Sequence, residues 1–126
     1  MVLDDIMKPD TDNPIIAKSF AFAMRVVRLH RYLVDEKREY SLSKELLIAG
    51  THVGKHVKEA VHGESRERFA LEMGAALRKV NEVEYWLQLI HFAEYIGEKE
   101  FSSMDNDRLE LAKMLTSITK TTRSHA

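Results

Sequence analysis

The sequence contains no cysteine, which excludes disulfides and thiolate chemistry and fits a reducing cytoplasm. Proline is nearly absent: Pro9 and Pro14 are the only two, both in the first fourteen residues. From Ile15 onward no residue lacks the amide hydrogen that a helix interior needs. Glycine is sparse, five in 126 residues. An excess of basic charge is missing too, with 19 basic against 20 acidic side chains and a net charge of -1. Proteins that grip a phosphate backbone carry such an excess, so strong nonspecific nucleic-acid binding is not expected, although a local basic patch remains open. No apolar run approaches membrane-spanning length, and no membrane partner is expected. The opening MVLDDIMKPDTDN is acidic where a secretory signal is basic and then apolar.

What is present is helical periodicity. Hydrophobic residues make up 44% and charged residues 31%, the balance of one soluble domain with its own core. Residues 1–13 read as a flexible arm. Asn13 can cap a helix and Pro14 suits its first turn, so helix one is predicted from Pro14 to about Lys37. It carries two apolar stripes, Ile16, Phe20, Ala23, Val27 and Val34, and Ile15, Phe22, Val26, Leu29 and Leu33. Together they make a face wider than one core needs.

Helix two is predicted to start at Ser41 or Ser43 and to stop at Gly63. Its stripe is Leu46, Gly50, Val53, Val57 and Ala60. Gly50 and Gly54 each sacrifice about 1 kcal/mol of helix propensity relative to alanine. Gly50, Val53, Gly54 and Val57 are therefore expected to form a close helix seam.

Ser65 reads as the cap of helix three, which is predicted to run to Gly97. Phe69, Met73, Ala76, Val80, Val83, Leu87 and Ile90 alternate spacings of four and three, the repeat of a shallow-angle bundle. Tyr85, Leu89, Phe92 and Ile96 form a second stripe nearly opposite. A helix apolar on both sides is buried on both sides, so these four are assigned to an oligomer interface. Helix four is predicted to open at Ser103 or Asp105, with Leu111, Leu115, Ile118 and Thr122 inward. The expected fold is an all-α, antiparallel up-down-up-down, left-handed four-helix bundle over residues 14–123, with a frayed tail at 124–126.

Chemistry-bearing residues are few. His52 and His56 lie four apart and could chelate a metal, and Glu59 and His62 form Glu-x-x-His, a motif of di-iron bundles. No second Glu-x-x-His exists, and the helical wheel turns Glu59 and His62 toward solvent. No metal, no cofactor and no catalytic residue is expected. Serines and threonines lack a nucleophile elbow, and no phosphate-cradling glycine loop is present. Tyr85 and Trp86 can stack on bases, but at helical spacing beside Leu87 and Leu89 they read as core or interface. Lys18, Arg25, Arg28 and Arg31 on helix one, with Lys55 and Lys58 on helix two, are the candidate nucleic-acid contacts. A solvated face is the plainer reading of that stripe.

The stretch GTHVGKHVKEA, then ES, then FALEMGAALRKVNEVEYWLQLI, resembles the four-helix-bundle family of 23S rRNA intervening-sequence proteins. The matching positions are Gly50, Thr51, Val53, Gly54, Val57, Glu59, Ala60, Glu64, Ser65, Phe69, Ala76, Asn81, Glu82, Tyr85, Trp86 and Leu87. In outline it covers residues 14 to 120, with the specific motifs confined to helices two and three. One departure stands out: relatives carry a small residue and Asn between the second glycine and the next apolar position, where this chain has Lys55 and His56. The resemblance implies a left-handed bundle assembling into a ring, typically a homopentamer. It also implies a link to RNA and supplies no catalytic residues. A related branch serves reverse transcriptases as a basic accessory subunit, a role that a nearly neutral chain fits poorly.

The sequence thus points to a non-enzymatic cytoplasmic homo-oligomer acting as a binding or scaffold module, with an RNA or protein partner. The alternative is an RNA- or DNA-associated accessory protein using the basic stripe. A metal-binding bundle ranks third.

Overall fold

The computed structural model describes residues 13–124, which form four α-helices: α1 (Pro14–Lys37), α2 (Ser41–Val61), α3 (Arg66–Phe92) and α4 (Glu98–Ser124). Among the described residues there is no strand. The arm and tail expected at the ends lie outside the described residues, except Asn13 and Ser124. Short turns at 38–40, 62–65 and 93–97 set each helix beside the one before it, the connection of an antiparallel all-α bundle. The α2–α3 contact is the most extensive, and the α1–α4 contact that closes the bundle is the slightest.

Local chemistry sets the boundaries. Asn13 Oδ1 accepts from the Ile15 amide at 3.2 Å, and Pro14 occupies the first helical position. Arg38 adopts φ 55, the left-handed conformation that ends α1. Glu39 then caps α2. Its buried carboxylate accepts from the Ser43 amide at 2.7 Å and the Ser41 amide at 3.1 Å, while Ser43 Oγ donates back to the Glu39 carbonyl at 2.8 Å. The helix starts at Ser41, yet a glutamate supplies the cap. Ser65 Oγ accepts from the Arg68 amide at 3.0 Å and caps α3 as predicted.

Two boundaries differ from the sequence reading. α3 stops at Phe92, not Gly97. Glu94 turns left-handed at φ 68, and the Tyr95 amide donates back to the Ile90 carbonyl at 3.1 Å, a glycine-type helix stop built without glycine. α4 begins at Glu98, well before Ser103 or Asp105. The Gly97 carbonyl accepts from the Phe101 amide at 3.0 Å, and Glu98 and Glu100 place negative charge at the positive end of the helix dipole.

The core is one continuous cluster. From α1 it takes Ile15, Ile16, Phe22, Val26, Leu29 and Leu33; most of the first predicted stripe stays outside it, and Phe20 is 56% exposed. From α2 come Leu46, Ala49, Val53, Val57 and Ala60. From α3 come Met73, Ala76, Val80, Val83, Leu87 and Ile90, all buried in the predicted register. α4 adds Met104, Leu111 and Leu115, with Ile118 and Thr122 half-buried. Each large apolar side chain removed from water here contributes about 1.5–3 kcal/mol. Gly50 is where α2 meets α1 most closely: a Cβ there would lie 2.7 Å from Val26 Cγ2. Gly54 also faces α1 but leaves ordinary room, 3.5 Å to the Ser19 carbonyl oxygen.

Candidate functional site

α3 has a wet apolar side. Leu71, Arg78, Tyr85 and Phe92 recur every seven residues and so fall on one line along the helix. Leu71 is 57%, Tyr85 58% and Phe92 76% exposed, while Leu89 is half-buried. The Tyr85 ring sits edge-on to Trp86, 5.1 Å between centroids, and Trp86 itself leans on the core. Below Phe92 the chain is tightly held. His91 stacks on Phe101 at 4.4 Å, with Nε2 3.0 Å from Glu98 Oε2 and Nδ1 3.3 Å from the Ile96 carbonyl. Ile96 does not join this face. It belongs to the α3–α4 turn, is only 7% exposed and packs into the subunit's own core, which corrects its assignment to the interface. The misplaced end of α3 produced that error.

The basic positions divide. Lys18 pairs with Glu110, and Arg25 reaches Asp107 at 2.7 Å and the carbonyl and hydroxyl of Ser103 at 3.2 and 2.9 Å. These two tie α1 to α4 across the slight contact. Arg28 lines a cleft of about 480 Å³ between the same helices, floored by Leu29, Ile96 and Met104. Arg31 is exposed, and Lys55 and Lys58 border the groove between α1 and α2 beside Phe20. Lys18, Arg25 and Arg28 line one groove together with Asp107 and Glu110, while Lys55 and Lys58 border another.

The histidines of α2 lie against α3. His56 Nδ1 is 2.8 Å from Glu72 Oε1, and Glu59 Oε2 lies 4.0 Å from the same nitrogen. Arg68 holds the other Glu72 oxygen at 2.7 Å. The His52 ring stands edge-on to His56 with centroids 6.3 Å apart. His62 is exposed at the end of α2. The hydrogen bond from His56 holds the Glu72 carboxyl below its ordinary range; burial opposes this and the Arg68 charge reinforces it. His52 is pushed below the usual imidazole value, first by burial and then by Lys55 and Lys79.

Sequence reasoning missed three charged residues. Glu72 follows Phe69 by three and precedes Met73; Arg108 sits between Met104 and Leu111. Both occupy core positions of an apolar stripe, and that misplacement was their signal. Arg108 is buried on α4 and is satisfied by Asp105 at 2.6 Å and Glu84 at 3.1 Å. Glu39, the third, caps α2.

With this geometry in hand, comparison with known proteins is informative. No curated protein matches the chain. A crystal structure from Bacteroides thetaiotaomicron VPI-5482, of a protein of unknown function in the S23 ribosomal protein family, is similar to it. It superimposes with a TM-score of 0.85 at 41% identity, over 86% of this chain and 97% of that one. The family model for the 23S rRNA-intervening sequence protein matches residues 11–117. The four-helix bundle and this match agree, and the chain belongs to the 23S rRNA-intervening sequence protein family.

Proposed function

We propose that this protein is a non-catalytic homo-oligomeric scaffold, assembling through the outer side of α3. The exposure of Tyr85 and Phe92 carries this reading. Two large aromatic rings stand in water on a helix whose other side is fully buried, with Leu71 and Leu89 near the same line. Exposed apolar rows of this kind mark association surfaces. The turn beneath Phe92, locked by the His91–Phe101 stack and Glu98, presents that ring on a rigid base, which reduces the entropy lost on binding. A closed ring, a pentamer by resemblance, follows when the partner surface lies elsewhere on the subunit. The exposed Phe20 and Met24 of α1 offer such a second apolar surface.

A nucleic-acid role is the second reading, favoured by Arg28, Arg31 and Lys55, which have no ion pair among the described residues. The family description, a 23S rRNA-intervening sequence protein, points the same way. A net charge of -1, and the engagement of Lys18 and Arg25 with α4, weaken it.

One experiment separates the two. Untagged protein is passed over a sizing column with light-scattering mass and the ultraviolet absorbance ratio recorded together. A multimeric mass with the absorbance of protein alone supports the scaffold. Co-eluting nucleic acid, removed by salt and by Arg28→Ala with Arg31→Ala, would establish the second reading instead.

A further inference from the structure

We infer that His56, Glu59 and Glu72 form a binding site for a first-row divalent transition cation, built between α2 and α3. Sequence reasoning looked for a second Glu-x-x-His and found none. The fold supplies a different third ligand, a lone glutamate from the neighbouring helix. One ligand atom from each of His56, Glu59 and Glu72 lies within 4.8 Å of the other two. His56 Nδ1 lies 2.8 Å from Glu72 Oε1 and 4.0 Å from Glu59 Oε2. The centre of a triangle that size lies roughly 2–2.5 Å from each corner, the length of a metal–ligand bond. Almost no movement of the backbone is needed to close the site.

Two features beyond distance favour a ligand set over a plain ion pair. Glu72 is buried, and Arg68 fixes its second oxygen, leaving Oε1 aimed at the imidazole; outer hydrogen bonds of this kind orient metal-binding carboxylates. Glu59 is partly exposed, so the site opens to solvent on one side, which gives a cation a way in and leaves coordination positions for water. One imidazole with two carboxylates suits zinc or manganese better than calcium, which prefers an all-oxygen shell. The cation binds the Nδ1 lone pair of the neutral imidazole, whose one ring proton then sits on Nε2. His52 is not part of the set.

The test is zinc titration of the untagged full chain after chelator treatment, read against a chromophoric competitor. One zinc per chain is expected, with a rise in melting temperature. Glu72→Gln and Glu59→Gln should each weaken binding at least about tenfold, whereas His52→Ala should change it by less than about threefold. A surface chelate of His52 and His56 behaves in the opposite way, indifferent to Glu72→Gln and abolished by His52→Ala. That pattern, or no zinc bound at micromolar concentration, would overturn the site. Should Glu72→Gln fail to fold, Glu59→Gln decides alone, because Glu59 is partly exposed.

Discussion

Both sides of α3 carry large apolar residues, and the two sets meet opposite fates. Met73, Ala76, Val80, Val83, Leu87 and Ile90 are buried within one subunit, whereas Leu71, Tyr85 and Phe92 face water. The inner side is explained by the fold alone. It meets α2 over the largest contact in the molecule and leaves no stripe residue exposed. The outer side is not explained by the fold, because no described helix covers it. Removing an inner residue should therefore damage folding, and altering an outer one should damage only association.

Leu87→Ala gives the largest effect expected on the inner side. Leu87 is fully buried, and the substitution should lower unfolding free energy by about 2–5 kcal/mol in a denaturant titration. A smaller loss is expected for Glu72→Gln in metal-free protein, about 1.5–3 kcal/mol, because charged hydrogen bonds from His56 and Arg68 weaken. The folded Glu72 carboxyl is depressed, so its contribution is fully present above the ordinary glutamate value. It is lost as pH falls through the lower, folded value. Glu72→Gln should flatten that acid limb, which a melting series below pH of about 5 would record.

Gly50→Leu sharpens the comparison on α2. A side chain at Gly50 collides with Val26, and overpacking of about 1–3 kcal/mol exceeds the roughly 1 kcal/mol gained in helix propensity. Gly54→Ala, with ordinary space around it, should be neutral or stabilising by up to about 1 kcal/mol. Thermal melts of the two variants should move in opposite directions or, at least, separate clearly.

Much of the architecture was legible because it rests on periodicity. The α3 stripe and the Leu46-to-Ala60 stripe of α2 were both read in their true register, since one residue type repeated at one spacing defines one face. Legibility failed where a boundary used unusual chemistry. Glu94 takes the left-handed turn that glycine normally marks, so α3 was extended to Gly97 and Ile96 was carried onto the wrong surface. Ser103 looked like a cap and instead binds Arg25.

The polar cluster was half legible. His56 and Glu59 were visible on α2, but their partner Glu72 is sixteen residues from His56 and becomes meaningful only when α3 is laid alongside. Arg108 offers a useful contrast. There two carboxylates enclose a guanidinium, a permanent cation that completes the cluster. At Glu72 two carboxylates meet an imidazole, whose ring nitrogen can instead offer a lone pair to a cation.

The central claim is that the outer side of α3 is an interface, and sedimentation equilibrium of wild type beside Phe92→Glu tests it most directly. Phe92 is 76% exposed within the subunit, so the substitution should leave helical content and monomer stability unchanged. A charge forced into a covered apolar contact opposes association strongly. The wild type should sediment as a multiple of 14.6 kDa and Phe92→Glu as a folded species of 14.6 kDa. A wild-type mass of 14.6 kDa at micromolar concentration, or an assembly that Phe92→Glu leaves intact, would contradict the account.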